Sequence, residues 1–498
     1  MHNKIETELE TNIRYIESRF EGCADAVMRR ILVGDEKLGM YAVYMDSMYD
    51  RDFIDGVVLK SLLFDRIQLP DQNAGQVIFN KYLATADVKE TNRMEMLIDE
   101  VLKGNTAILI DGMAKAMIVS SKNLPGRGVS EAETEVSVRG SKESFTESFR
   151  VNTVLIRRRI RDTRLKSRQM TIGVRSKTDV ALMYMEDLVR PEMLKQVIRK
   201  LESFKIDAIL DSSYLESLTE EKWYSPFPQY QSTERPDKAA SALLEGRIVL
   251  VVDNSPMVLL LPTVFACFFQ ASDDYYDRWD AANFVRILRY AAAFFAVLLP
   301  GMYIALAGFH PEALPLSFAL SFAASREGVP FTLPVEVVVM ELAFELLREA
   351  GIRLPGPMGS TLGIVGGLII GQAAVDAHIV SPVVVILVAL TALSAFTIPN
   401  DLFASAFRMI KFYFIAAASI GGFVGLTAAV LTVLTHLSGL KSFGIPYMLP
   451  FVSAEMAPEG KWQDNIWRMP LGKMYERPYF TRKGHRRRLR KEKKNDIR

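Results

Sequence analysis

The pattern of hydrophobic and polar positions changes near residue 287. Before this point apolar and charged residues are mixed, whereas four later stretches contain no Asp, Glu, Lys or Arg: residues 290–311, 354–375, 377–400 and 412–437. A helix of about 20 apolar residues crosses the roughly 30 Å hydrocarbon core of a bilayer, and a helix of a soluble core seldom stays apolar on every face for so long. The pattern therefore predicts an all-α, multispanning membrane bundle that follows a charge-rich soluble half.

The charges that flank these stretches predict their orientation. The first residues, MHNKIETELE, lack the apolar segment of a signal peptide, so the soluble half is expected to stay in the cytoplasm. Arg286 and Arg289 precede the first stretch and a basic tail follows the last, and positive residues favour the cytoplasmic side. Both ends on one side require an even number of spans, with four as the minimal count. Four spans would place Arg408 and Lys411 outside, which the same rule disfavours.

Two segments of the soluble half resemble each other at a nearly constant offset. The matching pairs are YMD at 44–46 with YME at 184–186, and AILIDG at 107–112 with VLVVDN at 249–254. The first pair precedes helical patterns at 53–63 and 191–201, and the second pair ends on dipeptides typical of a strand followed by a turn. The soluble half is therefore predicted to hold two tandem duplicated α/β modules. Gene duplication explains them, and chance similarity of short patterns is the alternative.

These patterns divide the chain into five parts. They are a first cytoplasmic α/β module with a polar linker (1–150), a basic helix with a second cytoplasmic α/β module (151–256), an interfacial connector (257–287), a transmembrane helical bundle (288–440) and a cytoplasmic tail that is basic at its end (441–498).

A basic segment opens the second module. Residues 150–168 carry eight Lys or Arg against one Asp, and a helix is predicted there with Arg157, Arg158 and Arg159 at its centre. These arginines are candidates for contact with anionic lipid headgroups or with an acidic partner surface. A solvated or salt-bridged face is the alternative. Nucleic acid is disfavoured, because no stacking aromatic residues are interleaved.

Composition and motifs narrow the classes of function. Lys plus Arg number 60 and Asp plus Glu 58, and the last 18 residues carry a net charge of +8, so the basic balance belongs largely to the tail. Two distant cysteines exclude a disulfide scaffold, and the five histidines show no metal-ligand spacing. The chain contains no phosphate-binding loop, zinc-protease or serine-hydrolase motif. We therefore expect no enzymatic activity and no metal or cofactor.

Four glycines recur at every fourth position of the second apolar stretch. They are Gly359, Gly363, Gly367 and Gly371. On a helix they form one stripe of bare backbone, which allows a second helix to approach closely in lipid. The stripe predicts a tight subunit interface or a pore lined by small residues, and ordinary packing within one chain is the alternative. Gly421 and Gly425 repeat the spacing in the last stretch.

Acidic residues form a second stripe on a helical pattern at 335–349. They are Glu341, Glu345 and Glu349. If several copies surrounded an axis, the stripe would become part of a negative ring that attracts cations. Local pairing with Arg348 and Arg353 is the alternative. Asp376, between two apolar stretches, is a further candidate, because an ionisable group at membrane depth is usually functional; it could also lie at headgroup level.

Several longer motifs resemble a known family, the A subunits of GerA-type spore germinant receptors. They are VRG at 138–140, RRRI at 157–160, SPFPQ at 225–229, TERPD at 233–237, LEGR at 244–247, VDNSP at 252–256, DYY at 274–276, REGVPF at 326–331, REAGIRLP at 348–355, GQAAV at 371–375 and SFGIPY at 442–447. The resemblance spans roughly residues 38–480. The acidic first residues and the tail from Arg482 have no counterpart in the family pattern.

The resemblance implies a multispanning protein of the inner spore membrane. The A subunit of this family acts with a transporter-like B subunit that binds the nutrient and with a C-subunit lipoprotein. It is thought to form a homo-oligomeric, nutrient-gated channel for monovalent cations. A SpoVAF-like relative would amplify the signal instead, although PFPQ at 226–229 and REG at 326–328 are nearer to the receptor type. The resemblance supplies no catalytic residues.

Three functions remain open from the sequence. The first is an oligomeric, ion-conducting subunit, in which Gly367→Leu would change assembly or conductance and Glu345→Gln would reduce cation flux. The second is a non-conducting scaffold that relays the signal of a transporter-like partner. The third is a secondary transporter, which is disfavoured because the membrane half has no visible internal repeat.

Overall fold

The computed structural model describes residues 3–33, 38–50, 87–123, 132, 134–353, 357–452 and 464–489, of which 357–365 and 368 are described by their backbone alone. The chain divides into two compact units. The N-terminal unit comprises Met1–Glu220, Tyr230–Pro262 and Tyr475–Arg498, and the helical unit comprises Glu221–Gln229 and Thr263–Met474. The chain thus leaves the N-terminal unit after Pro262 and returns to it at Tyr475, so the predicted tail at 441–498 is divided between the two units.

In its described residues, the first module of the N-terminal unit contains a five-stranded antiparallel sheet and two helices. Its elements are α1 (Leu9–Phe20), β1 (Ala26–Val33), β2 (Leu38–Met45), β3 (Val88–Thr91), α2 (Met94–Leu102), β4 (Thr106–Ile110) and β5 (Ala116–Val119). The strand order is β1-β2-β4-β5-β3, and all neighbours are antiparallel. The helix predicted at 53–63 falls outside the described residues.

The second module repeats this sheet. Its elements are α3 (Phe149–Arg157), β6 (Leu165–Ile172), β7 (Thr178–Met185), α4 (Pro191–Leu201), α5 (Ser212–Thr219), β8 (Gln231–Thr233), α6 (Pro236–Leu244), β9 (Ile248–Val252) and β10 (Val258–Leu261). The strand order, β6-β7-β9-β10-β8, is that of the first module. The predicted repeat is therefore confirmed as a repeated strand order, and both modules combine helices with an antiparallel sheet.

Burial in both modules follows the periodicity of the sequence. On α1 the buried Leu9, Ile13, Ile16 and Phe20 are four, three and four residues apart, which places them on one helical face. The central strands β4 and β9 read TAILI and IVLVV and are buried at every position, because both faces of each sheet are covered there. Each fully buried Leu or Ile contributes about 1.5–3 kcal/mol relative to exposure.

The helix predicted at 150–168 is wrong in its second half. α3 ends at Arg157, and β6 begins at Leu165. All eight residues of β6 pair with β7, from Leu165 opposite Met185 to Ile172 opposite Thr178. This ladder satisfies the backbone groups of the segment, and a run of positive charge carries no information about which backbone partner will be available.

The helical unit contains the apolar stretches. Its elements are a 3₁₀ turn (Phe265–Phe269), α7 (Asp273–Tyr276), α8 (Trp279–Ile304) with a π turn (Ala305–Phe309), a 3₁₀ turn (Pro311–Ala313), α9 (Leu316–Ser325), α10 (Leu333–Arg353), α11 (Pro357–Asp376), α12 (Pro382–Phe396), α13 (Asp401–Gly439), the short strands β11 (Lys441–Ser442) and β12 (Ile445–Pro446), and a 3₁₀ turn (Leu471–Lys473).

Two helices of the described residues are long and apolar enough to cross a membrane. They are Trp279–Phe309, with 31 residues, and Asp401–Gly439, with 39 residues counted across a break at Gly422 that is described below. Both expose large apolar side chains in the single chain, such as Phe284 (71%) on the first and Ile420 (85%) on the second, which suits contact with lipid better than contact with water. The predicted span at 377–400 forms only the 15-residue helix α12, about 22 Å long, which is short of the hydrocarbon core.

Helix α13 is broken at Gly422, which has φ +54° and ψ −131°. A Cβ at Gly425 would overlap the carbonyl oxygen of Ala417, although these residues would lie about 12 Å apart along a straight helix. The chain therefore doubles back sharply at Gly422. The span predicted at 412–437 is thus two helices that meet at this glycine, and Gly421 and Gly425 flank the break rather than form one packing stripe.

Candidate functional site

Helix α10 presents the predicted acidic stripe to α13. Nζ of Lys411 on α13 lies 2.5 Å from Oε2 of Glu341, and both side chains are buried. The second oxygen, Oε1 of Glu341, is buried without a hydrogen-bond partner among the described residues. A charged pair between apolar helices is costly to bury, so it indicates a role other than stability alone.

The rest of the stripe is also paired. Oε1 of Glu345 accepts from Arg348 at 2.7 Å and lies 3.3 Å from Nε of Arg408 on α13. Glu349 pairs with Arg353 at 2.7 Å at the exposed end of α10. Three carboxylates thus meet four basic side chains, so the stripe is not negative within one chain. The predicted negative ring lacks its charge in this arrangement, and the local-pairing alternative describes it.

The same pairs account for Arg408 and Lys411. Their place between apolar segments conflicts with the positive-inside rule only if their charges are free. In the structure both face carboxylates of α10. The signal in the sequence is a pair of basic residues three apart on one helix and a pair of acids four apart on another, which fit one face each.

A second buried carboxylate, Glu336, has no counterpart in the sequence prediction. It is fully buried at the start of α10, where its Oε1 pairs with Arg326 at 2.9 Å and its Oε2 accepts from the backbone N–H of Ser381 at 3.1 Å. Glu336 thereby joins the REG segment at 326–328 to Ser381, the N-cap residue of α12. The only sequence signal was an isolated acid at the beginning of an apolar helix.

Arginines at the start of α8 form a third buried network. Arg286 is fully buried and pairs with Asp274 at 3.0 Å and with Asp464 at 2.7 Å. Arg289 pairs with the other oxygen of Asp274 at 2.8 Å. The two arginines that predicted the orientation of the first span are therefore locally compensated. Asp464 is 178 residues from Arg286, so no local pattern could identify it as the partner.

The structure does not gather the predicted glycine stripe into one contact. A Cβ on Gly367 would meet nothing within 4 Å, whereas one on Gly371 would lie 3.3 Å from Val385 of α12. The surroundings of Gly359 and Gly363 lie outside the described side chains. Gly371 therefore serves packing within the chain, and Gly367 faces open space.

Asp376 is exposed at the end of α11, where its Oδ1 accepts from Nε2 of Gln372 at 2.9 Å. Exposure in the single chain is compatible with a position at membrane depth or at headgroup level, so both stay predictions.

Arg157 is buried in the N-terminal unit, so the prediction that it contacts lipid is wrong for this residue. Only 1% of it is exposed, and its guanidinium forms two bonds of 2.8 and 2.9 Å to the carboxylate of Asp25 in the first module. Arg158 and Arg159 both donate to Glu143. Although burial raises the pKa of the Glu143 carboxyl, these two arginines hold it below its usual value. The salt-bridged alternative therefore describes all three arginines.

Groups suited to metal chemistry are not assembled in the described part of the chain. No three His, Cys, Asp or Glu side chains there lie close enough to hold an ion. Cys23 and Cys267 are separate, buried thiols.

Comparison with known proteins gives matches along almost the whole chain. Residues 14–480 match the family described as Bacillus/Clostridium GerA spore germination protein. Spore germination protein KA of Bacillus subtilis (strain 168) is 39% identical over 95% of this chain and 87% of its own length. Spore germination protein A1 of the same organism is 39% identical over 87% of this chain and 88% of its own.

One further relative and one solved structure extend the comparison. Spore germination protein GerLA of Bacillus cereus is 36% identical over 92% of both chains. The crystal structure of the N-terminal domain of the A subunit of the Bacillus megaterium spore germinant receptor GerK3 is 29% identical, with a TM-score of 0.42, and the match covers 53% of this chain and 97% of that one. Because the family match covers residues 14–480, the chain belongs to the GerA spore germination protein family, among relatives that are spore germination protein A subunits.

Proposed function

We propose that this chain is the membrane subunit of a nutrient germinant receptor that assembles into a homo-oligomer and conducts monovalent cations. In this proposal it lies in the inner spore membrane as a multi-pass protein with its N-terminal unit in the cytoplasm. It acts with a transporter-like B subunit and a C-subunit lipoprotein, contacts membrane lipids, and has no catalytic step of its own.

The observation that carries the proposal is the line of charge between α10 and α13. Glu341 and Lys411 are buried in a helical unit with membrane-length apolar helices, and Oε1 of Glu341 lacks a partner among the described residues. Ionisable groups in such positions mark ion pathways in many membrane proteins. Because Lys411 neutralises Glu341, a cation could bind there only after this pair separates, so the pair would act as the closed state of a gate.

Support for assembly comes from Gly367. This position faces open space in the single chain, so a larger side chain would not disturb packing within the subunit. A second subunit that approached this bare backbone would gain close contact in lipid.

The test is cation flux from liposomes that contain the purified chain, alone and with its presumed partners. Gly367→Leu is expected to change the oligomer or the flux while the chain stays folded. Gly421→Leu is the matched control, because its Cβ would also meet nothing within 4 Å. Glu345→Gln is expected to reduce the flux more than Glu349→Gln, whose pair with Arg353 is exposed.

A non-conducting scaffold is the second candidate, and an amplifier of germination is a variant of the first. The scaffold is favoured by the charge balance of the acidic stripe, in which three carboxylates meet four basic side chains. A correctly inserted oligomer with no flux under any combination of partners would replace the channel by the scaffold.

A further inference from the structure

The end of the chain is part of the N-terminal unit and packs on the second module. The hydroxyl of Thr481 donates to the carbonyl of Glu245 at 2.7 Å, and the backbone N–H of Arg482 donates to the carbonyl of Leu188 at 2.8 Å. Gly246 has φ +83°, and a Cβ there would lie 2.9 Å from Cα of Thr481. The glycine therefore permits a backbone approach that fixes this segment against one place on the module.

This contact lies within a small antiparallel hairpin. Glu476 bridges Arg487, with the backbone N–H of Arg477 donating to the carbonyl of Arg486 at 2.6 Å. The guanidinium of Arg477 donates to the carbonyls of Leu244 at 2.9 Å, His485 at 3.0 Å and Arg487 at 2.9 Å. Arg477 thus holds the hairpin with a charge that has no carboxylate partner among the described residues.

The hairpin closes a basic cavity of about 440 Å³ against the second module. Its lining includes Arg164, Arg477, Arg487, Arg488, His485 and a single carboxylate, Asp187. Asp187 is already paired with Arg164 at 2.9 Å. Three guanidinium groups of the lining therefore remain in excess.

These arginines also affect one another. Burial lowers the pKa of Arg477, and the positive charges of Arg488 and Arg164 lower it further against the opposing effects of Asp187 and Glu245. An anion in the cavity would relieve this repulsion. The rigid fork of donors on arginine matches the oxygens of a phosphate group, and about 300–1,000 Å³ is the usual size of a ligand pocket.

We propose that this cavity is a binding site for a phosphate group, carried by a phosphorylated small molecule or by an anionic lipid headgroup. Part of the site lies beyond residue 480, where the family match ends. The family match therefore does not cover the whole site. It is independent of ion conduction, because every residue of the cavity belongs to the N-terminal unit.

The experiment measures binding to the full-length chain in a neutral detergent by titration calorimetry. The free probes are inorganic phosphate and pyrophosphate. Lipid binding is measured by sedimentation of the chain with phosphatidylglycerol vesicles, and phosphatidylcholine vesicles serve as the comparison. The test variant is Arg487→Gln/Arg488→Gln. The matched control is Arg482→Gln/Lys483→Gln, which removes the same charge from exposed positions of the same segment that do not line the cavity.

The wild-type chain is expected to bind one class of probe. The affinity should fall at least about tenfold in the test variant, because charge-assisted hydrogen bonds are lost, and should stay within about twofold in the control. Binding of pyrophosphate identifies a free ligand, and binding only of phosphatidylglycerol vesicles identifies a lipid. Equal weakening in both variants would reduce the effect to the net charge of the tail and overturn the proposal. Absence of binding to every probe by the wild-type chain, with an unchanged unfolding temperature, would overturn it too.

Discussion

The ion pair between Asp25 and Arg157 makes a quantitative prediction about the N-terminal unit. Asp25 immediately precedes β1 of the first module, and Arg157 ends α3 of the second. Besides its two bonds to Asp25, Arg157 donates to the carbonyls of Asp162 at 3.2 Å and Leu165 at 2.8 Å. If Asp25 became neutral, the guanidinium of Arg157 would stay buried and would lose its counter-charge.

Asp25→Asn is therefore expected to favour opening of the contact between the modules. Removal of one partner of a buried pair costs about 3–5 kcal/mol, since the other charge stays buried and uncompensated. At roughly 1.4 kcal/mol per factor of ten, the open fraction should rise by about 100-fold to several thousand-fold. Asp46→Asn is the matched control, because Asp46 joins the same two modules through Arg150 at 3.8 Å with 69% of the arginine side chain exposed. Such exposed pairs contribute about 0–1 kcal/mol.

Cys23 provides the assay. Its thiol is 4% exposed and lies 3.5 Å from the carbonyl oxygens of Thr163 and Leu165 in the other module. Burial raises the pKa of this thiol, so the closed state offers little reactive thiolate. The rate of alkylation of Cys23, measured by mass spectrometry in a Cys267→Ser background, thus follows the open fraction.

Two outcomes decide the matter. Asp25→Leu/Arg157→Met, which removes both charges, should label nearly as slowly as the wild type, because an apolar replacement of a buried pair is often neutral. If Asp25→Asn labels within about fivefold of the wild type, and no faster than Asp46→Asn, the energy assigned to the buried pair is refuted.

Two further predictions concern other buried charges. Burial, and then the charges of Glu220 and Asp211, raise the pKa of Glu216 to about 8. The folded state therefore keeps a proton that the unfolded chain loses near pH 4.5, so the stability of the protein should fall as the pH rises from 4.5 through 8. Glu216→Gln should not show this decline when thermal unfolding is followed by circular dichroism. Lys411→Met should destabilise the helical unit by about 3–5 kcal/mol in detergent, whereas the control Arg353→Met should cost at most about 1 kcal/mol. Unfolding is followed by the fluorescence of the tryptophans, all of which belong to that unit. Equal midpoints for these two variants would contradict the assignment of a buried pair.

Local patterns predicted the elements whose partners are close in sequence. The periodic apolar residues and Pro191 at the first helical position define α4 at the predicted residues, and the runs at 107–110 and 249–252 make up all but the first residue of the buried strands β4 and β9. These predictions hold because helix and strand formation depend on which side of a short segment is apolar. The same patterns predicted that the two modules are related, whereas the order of their strands came from the structure.

The sequence by itself thus determined the two modules, the apolar helices and the family. Only the tertiary structure decided which charges are buried and paired: Asp25 with Arg157, 132 residues apart, and Glu341 with Lys411, 70 residues apart. It also decided that α13 breaks at Gly422. The sequence does not distinguish a charged residue that faces water from one that pairs with a distant counter-charge. The environment of the residue is set by the elements that pack against it, and these come from distant parts of the chain.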